Sequence, residues 1–193
     1  MFDSLPGLPL TQRWRQQAYP VAAVLALIRR DDASKGDAPA PHYLLIQRQT
    51  VPYLGKWALV GGRWEFGEAL ETAITREVKE ETGLDTTFVA LRGVVNERIA
   101  PAGSTADGAH FLLFVCQVSA PTGTAREQAE GPVAWFSPED LLELNNRQQI
   151  ISTDYTILQW CTRQESPLSF IEAQVVVKGG AGAPGELVHF GTR

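Results

Sequence analysis

The sequence has few of the residues that mark several large classes of protein. Only two of its 193 residues are cysteines, Cys116 and Cys161, and they lie far apart among apolar neighbours. A disulfide framework or a cysteine metal site is therefore not expected, and a reducing, cytoplasmic compartment is the default. The longest apolar run, Val21–Ile28, is far shorter than the roughly 18 residues that span a bilayer. Residues 1–18 show no secretory signal.

The chain also has no excess of positive charge. Its 22 Asp and Glu residues outnumber its 17 Lys and Arg residues, so the formal net charge is −5. This sign argues against a general nucleic-acid or membrane-surface partner, and an anionic ligand would need a local cation. Hydrophobic residues make up 44% and charged residues 20%, which is ordinary for a folded globular chain. The length favours a single domain.

Hydrophobic patterning predicts alternating strands and helices, and hence a mixed α/β fold with helices on both faces of a sheet. The segment from Asp31 to Pro41 reads as a loop, and the glycine pair Gly61-Gly62 is expected to end a strand. Strands are predicted at Val21–Ile28, His42–Arg48, Trp57–Val60, Thr86–Ile99, Ala109–Val118, Val133–Phe136, Leu168–Val177 and Leu187–Phe190. Helices are predicted at Ala69–Thr82, from a Ser137 cap to about Leu144, and from about Gln149 to Gln164.

The predicted helix Ala69–Thr82 carries an unusual concentration of acid. At about 100° per residue its first half turns apolar side chains to one side. In the second half, Glu77, Glu80 and Glu81 fall within that same sector or at its edge. Unpaired carboxylates are costly to desolvate, so something must neutralise them. A proton could do so, but oxygen ligands also suit a divalent ion such as Mg²⁺ or Mn²⁺.

The residues around this helix form a longer pattern that resembles the signature of the Nudix hydrolases. Gly62 is followed after five residues by Glu68, and seven residues further on the run Arg76-Glu77-Val78-Lys79-Glu80-Glu81-Thr82-Gly83-Leu84 begins. It fills every fixed position of G-x5-E-x7-R-E-U-x-E-E-x-G-U, where U is a bulky aliphatic residue. The resemblance covers about residues 18–162.

This resemblance implies a Nudix fold, a mixed sheet between helices, with an additional C-terminal β-hairpin. The whole chain is expected to be one Nudix domain with its core at about 18–162, an N-terminal extension at 1–17 and a C-terminal extension at 166–193. It also implies hydrolysis of a nucleoside diphosphate linked to another moiety, by attack of water on phosphorus. Two or three Mg²⁺ or Mn²⁺ ions are expected between the glutamates and the polyanionic substrate.

By the same resemblance, the metal ligands are Glu77, Glu80, Glu81 and the carbonyl of Gly62. Arg76 would orient glutamates through charge-assisted hydrogen bonds, and Glu68 would act as an auxiliary acid near the metals. The general base is less fixed in the family. Glu130 is the candidate here, with Glu127 or a glutamate within the motif as alternatives. A purely structural role for Glu130, shaping a turn, is also open.

Substrate recognition must come from outside the motif. Arg48 is a candidate for a phosphate contact or an exposed charge at a strand end, and Arg63 lies in the loop before the helix. Trp64 in that loop either packs on a base or staples the loop. Arg98 is a weaker candidate for substrate binding, and His110 is interpreted first as a strand residue.

The surrounding sequence resembles bacterial ADP-ribose pyrophosphatase-like members most. ADP-ribose or a nucleotide sugar is therefore the leading substrate, with nucleoside triphosphate sanitation as the alternative. A non-catalytic domain that binds nucleotide or ADP-ribose is a third interpretation, though three crowded glutamates favour catalysis. The apolar C-terminal strands must cover a sheet edge or meet another subunit, so we expect either a homodimer contact or a hairpin packed on its own domain.

Overall fold

The computed structural model describes residues 19–32, 40–50, 53–101, 108–119, 121, 123–163, 168–178 and 185–191. Within these residues the strands are β1 (Val21–Leu27), β2 (Arg29–Asp32), β3 (Ala40–Gln47), β4 (Trp57–Arg63), β5 (Phe88–Pro101), β6 (Ala109–Val118), β7 (Val133–Phe136), β8 (Ser169–Val177) and β9 (Gly185–Gly191). The helices are α1 (Leu70–Thr82), α2 (Pro138–Asn146) and α3 (Ser152–Arg163).

The strands form one mixed sheet in the order β2-β3-β4-β1-β6-β5-β8-β9, with β7 paired to β3. The β1–β6 and β5–β8 pairs are parallel, and the other pairs of named strands are antiparallel. One buried cluster contains Ala73, Ile74 and Val78 of α1. Another contains Leu141 of α2 and Ile157 of α3. Helices therefore cover both sides of the sheet, as predicted.

Two expectations about strand limits were wrong. Residues 29–32 form β2, which pairs with β3, at the start of the segment predicted to be a loop. The strand β4 also continues through both glycines, where we expected it to end, because they pair with Leu25 and Val24 of β1. A Cβ at Gly61 would lie 2.1 Å from the Val24 carbonyl oxygen, so glycine allows this close pairing.

The ends of two helices follow their predicted signals. Helix α1 stops at Gly83, which has φ of 73° and donates its N–H to the Lys79 carbonyl. At the start of α2 the Ser137 hydroxyl accepts from the N–H of Asp140, and the Asp140 carboxylate accepts from the N–H of Ser137. This capping box fixes the angle at which α2 leaves β7.

The C-terminal hairpin is part of the same sheet. Strand β8 pairs in parallel with β5 from Gly93–Ser169 to Pro101–Val177, and β9 pairs with β8. Ile171 and Ala173 of β8 are fully buried. The hairpin thus packs on its own domain, while a homodimer contact stays a prediction.

Other sequence expectations concern absences. Both cysteines are buried as free thiols. Among the described residues, no helix combines the length and the apolar character needed to cross a membrane.

Candidate functional site

Helix α1 turns two carboxylates toward the sheet along with its apolar side chains. Glu77 is 7% exposed and Glu81 5% exposed, and each lies one helical turn from another buried residue of the same face. Glu80 lies at the edge of this face with its side chain 54% exposed. The sequence therefore located the acids on the helix correctly, but the structure buries two of the three.

A single guanidinium holds the acidic side chains in place. Arg76 makes a two-pronged contact with Glu68, from Nε to Oε1 at 2.9 Å and from Nη2 to Oε2 at 3.0 Å. Its Nη1 donates to Glu77 at 2.7 Å and to Glu80 at 3.1 Å. Nη2 also donates to the Arg63 carbonyl at 3.2 Å. The planar guanidinium therefore fixes three glutamates and the end of β4 relative to one another.

The two glycines of β4 bring its backbone against the buried acids. The N–H of Gly61 donates to Oε2 of Glu81 at 2.9 Å. A Cβ at Gly62 would lie 2.6 Å from Oε2 of Glu77, so a side chain at this position would displace that carboxylate. The pair of glycines is thus needed for the carboxylates to reach the strand.

The electrostatics of these acids differ according to their neighbours. Burial, together with a hydrogen bond and repulsion from Glu130, raises the pKa of Glu81 to about 9. Burial also raises the pKa of Glu77, although Arg76 acts in the opposite direction. The hydrogen bond from Arg76 lowers the pKa of Glu68. Without a further cation, Glu81 therefore retains its proton at neutral pH.

The donor set fits a hard divalent cation. Glu77, Glu80, Glu81 and the Gly62 carbonyl would offer oxygen ligands only, which suit Mg²⁺ or Mn²⁺. The raised pKa of Glu81 is what buried oxygen ligands show when no cation neutralises them. In the part of the chain that the structure describes, however, no three His, Cys, Asp or Glu side chains are grouped so that they could hold a metal ion as they stand. Glu77 and Glu80 are instead directed to Arg76.

Glu81 opens onto a cavity of about 250 Å³. The cavity is lined by Ile46, Arg48, Gln49, Thr50, Glu81, Ala129 and Glu130. The Nε of Arg48 is buried and has no hydrogen-bond partner among the described residues, while its Nη2 contacts the Thr50 hydroxyl at 3.4 Å. The Arg48 guanidinium and two carboxyl groups therefore line one space that a small anionic group could enter.

Glu130 reaches this cavity from a turn between β6 and β7. The N–H of Gly131 donates to the Gln128 carbonyl at 3.3 Å. Gly131 has φ of 139°, and a Cβ on it would lie 2.3 Å from the Gln47 carbonyl oxygen. Glu130 thus both belongs to a turn, as one interpretation held, and places its carboxyl beside Glu81. Glu127 is exposed in the same segment.

The loop between β4 and α1 is fixed by its aromatic residue. Trp64 donates from Nε1 to the Glu68 carbonyl at 2.8 Å and packs edge-on against Phe114 at 4.9 Å between ring centroids. These contacts match the interpretation that Trp64 staples the loop. Arg63 lies 3.8 Å from Glu65 in an ion pair.

The remaining predicted residues make contacts elsewhere on the sheet. Arg98 pairs with Glu172 of β8 at 3.1 Å. His110 lies opposite Arg98 in the β5–β6 register and makes a short contact from Nε2 to Oδ1 of Asn96. These contacts do not include the glutamates of α1.

Sequence analysis did not identify a second pair of buried acids, Glu97 of β5 and Asp154 of α3. Burial raises the pKa of Glu97 to about 7 and that of Asp154 to about 6. The sequence did contain a signal for Glu97. It lies two residues from both Val95 and Ile99, so the three side chains share the buried face of β5.

Comparison with known proteins places this geometry in context. The model of the NUDIX domain matches residues 19–161. The chain is 30% identical over 149 residues to an ADP-ribose pyrophosphatase of Methanocaldococcus jannaschii, a match that covers 77% of this chain and 79% of that protein. It is 33% identical over 112 residues to the nucleoside triphosphatase NudI of an Enterobacter species, covering 54% and 79% respectively.

The fold is also found in solved structures. A MutT protein from Bacillus halodurans superposes with a TM-score of 0.63 at 21% identity, covering 89% of this chain and 96% of that one.

Proposed function

Because the chain belongs to the Nudix family of hydrolases, which hydrolyse pyrophosphate bonds, we propose that it cleaves the pyrophosphate bond of ADP-ribose or of a nucleotide sugar. The observation that carries this proposal is the cavity that Glu81, Glu130 and Arg48 line together. Its acidic groups suit cations, and its guanidinium suits a phosphate. A diphosphate group bound together with divalent cations would satisfy both the acidic groups and the guanidinium.

Nudix hydrolases generally use divalent metals, and in this chain Glu77, Glu80, Glu81 and the Gly62 carbonyl would hold them. We propose Mg²⁺ or Mn²⁺, with two or three ions when substrate is bound. Such ions supply a Lewis acid for the phosphoryl oxygens and a water of lowered pKa. The part of Arg76 is to hold Glu68, Glu77 and Glu80 in position, since its guanidinium reaches all three.

Glu130 is the proposed general base. Its carboxyl lies against Glu81 at the wall of the cavity, where it can accept a proton from a water that attacks phosphorus. Arg48, whose buried Nε has no hydrogen-bond partner in the described part of the chain, is the proposed contact for a phosphate oxygen. Arg63 and Arg98 are weaker proposals for substrate binding because each is already in an ion pair.

The choice of substrate rests on relatives. The match with an ADP-ribose pyrophosphatase spans most of both chains and supports ADP-ribose or a similar nucleotide sugar. Hydrolysis of a nucleoside triphosphate is the second candidate, supported by the likeness to a nucleoside triphosphatase over about half of this chain.

The test is a substrate panel assayed with Mg²⁺ and with Mn²⁺. ADP-ribose, sugar nucleotides, dinucleoside polyphosphates and nucleoside triphosphates would be compared by kcat/KM, with products separated by chromatography. We expect ADP-ribose or a sugar nucleotide to rank first and to yield a nucleoside monophosphate and a sugar phosphate. A triphosphate ranking first, with release of pyrophosphate, would favour the second candidate. Binding of ADP-ribose without cleavage of any compound would contradict the proposed activity.

A further inference from the structure

Residues 48–50 and 53–56 connect the cavity with the C-terminal hairpin. Two backbone hydrogen bonds hold these two segments together, from the Arg48 N–H to the Lys56 carbonyl at 2.9 Å and from the Gly55 N–H to the Arg48 carbonyl at 2.8 Å. Within the second segment the N–H of Lys56 donates to the Tyr53 carbonyl at 3.0 Å. The backbone of Tyr53 is therefore linked to Arg48 through Lys56.

The side chain of Tyr53 leads from this segment to the first residue of β9. Its hydroxyl accepts a hydrogen bond from the backbone N–H of Gly185. A Cβ on Gly185 would lie 3.1 Å from that hydroxyl oxygen and 2.2 Å from Cγ1 of Val175, so the strand end is packed closely around it. The family match ends at residue 161, and Gly185 lies beyond it.

Electrostatic interactions also connect Tyr53 with a residue of the cavity. Glu97 and Asp154 lie close enough to Tyr53 to act on it electrostatically, and Arg48 acts on both Tyr53 and Asp154. Arg48 therefore lines the cavity with Glu81 and Glu130 and also interacts electrostatically with Tyr53. Its long side chain has many rotamers, and fixing them before substrate binds lowers the entropy lost on binding.

We propose that the C-terminal hairpin supports the active site by holding residues 53–56 beside Arg48 through the Gly185–Tyr53 hydrogen bond, which makes Tyr53 a positioning residue for Arg48. This inference rests on the proposed role of Arg48 as a phosphate contact. It gives the hairpin a part in substrate binding that does not depend on another subunit.

The test removes the Tyr53 hydroxyl and measures whether its effect on KM depends on Arg48. Tyr53→Phe keeps the ring and loses the hydrogen bond, so KM should rise about fivefold while kcat changes less than about twofold. In an Arg48→Ala background the same substitution should raise KM by less than about twofold, since the group it positions is gone. Tyr155→Phe on α3 is the matched control and should leave KM unchanged.

A second readout needs no substrate. Amide hydrogen exchange at Arg48 and Gly55 should become faster in Tyr53→Phe and stay unchanged in Tyr155→Phe. The proposal is overturned if Tyr53→Phe leaves both KM and exchange unaltered, or if it raises KM equally with and without Arg48. If Arg48→Ala itself leaves KM unchanged, the phosphate contact fails, whereas the exchange measurement still decides whether the hydroxyl holds residues 53–56.

Discussion

Among the described residues, two pairs of buried acids differ in their surroundings. Glu77 and Glu81 of α1 meet the β4 backbone, and Glu81 shares a cavity wall with a further acid, Glu130. Glu97 and Asp154, in contrast, are satisfied internally. Asp154 accepts from the N–H of Leu59 at 2.8 Å, and a hydrogen bond from Thr153 stabilises the Glu97 carboxylate.

The comparison teaches that burial of an acid does not by itself indicate catalysis. Both pairs have raised pKa values, and in both burial is the largest cause. What distinguishes Glu81 is the open cavity that it lines together with Glu130 and Arg48, which Glu97 and Asp154 do not line.

The largest effect is expected from Glu81→Gln. Loss of a ligand carboxylate should lower kcat by at least about 100-fold, while the melting temperature stays equal or rises because a poorly solvated acid is removed. Steady-state kinetics and thermal unfolding would be measured on the same preparations. Glu97→Gln, the matched change in the other pair, should keep kcat within about threefold. Equal losses of kcat in Glu81→Gln and Glu97→Gln would show that the two pairs of acids do not differ in function.

A smaller loss is expected from Arg76→Lys. Lysine keeps the charge but cannot reach Glu68, Glu77 and Glu80 at once, so kcat should fall roughly tenfold. Titration with Mn²⁺ should show weakened binding in parallel. Unchanged turnover would mean that the glutamates hold their positions without the guanidinium.

The pH dependence of stability tests the other pair of buried acids, Glu97 and Asp154. The pKa of Glu97 is about 7 in the folded chain against an ordinary 4.5, so the folded state holds this proton more tightly than the unfolded state. Stability from this group is therefore fully present below about pH 4.5 and is lost as the pH rises to about 7, on the order of 3 kcal/mol in all. Asp154 acts in the same direction between its ordinary 3.8 and about 6.

Denaturant unfolding from pH 4.5 to 8, with Mg²⁺ present throughout, would measure this loss. Glu97→Gln should flatten the profile above about pH 6, where Asp154 no longer contributes. A wild-type free energy of unfolding that increases over that range would show that Glu97 is ionised at little cost.

The smallest effect is expected from Ser137→Ala. Loss of the α2 cap should lower the free energy of unfolding by about 1 kcal/mol and leave kcat and KM unchanged. Chemical denaturation would measure the free energy of unfolding, and steady-state kinetics would measure kcat and KM. This variant separates loss of stability from loss of activity, and a fall in activity here would weaken the conclusions from Glu81→Gln.

Sequence patterns predicted local features where the physical cause is local. Gly83 marks the end of α1 because its left-handed backbone suits glycine, and Ser137 with Asp140 marks the start of α2. The periodicity of α1 placed Glu77 and Glu81 on the buried face. The exposed position of Glu80 depends on how α1 sits over β4, which no local pattern contains.

Long-range pairing accounts for what the sequence did not predict. Strand β2 forms because β3 offers its partners, although its own residues are charged. The approach of Tyr53 to Gly185 joins positions more than 100 residues apart in the chain. The three-way contact of Arg76 lay within the motif, yet its geometry needed the folded loop around Trp64 and Glu68.

The central claim is that Glu77 and Glu81 are buried in order to hold divalent cations against a diphosphate. A crystal structure of the protein with Mn²⁺ and a non-hydrolysable analogue of ADP-ribose tests it most directly, with the ions located by anomalous scattering. The account predicts Mn²⁺ within about 2.2 Å of carboxylate oxygens of both residues, on the side that faces the diphosphate. Analogue bound with both carboxyls still turned to Arg76 and Gly61, and no ion beside them, would contradict it.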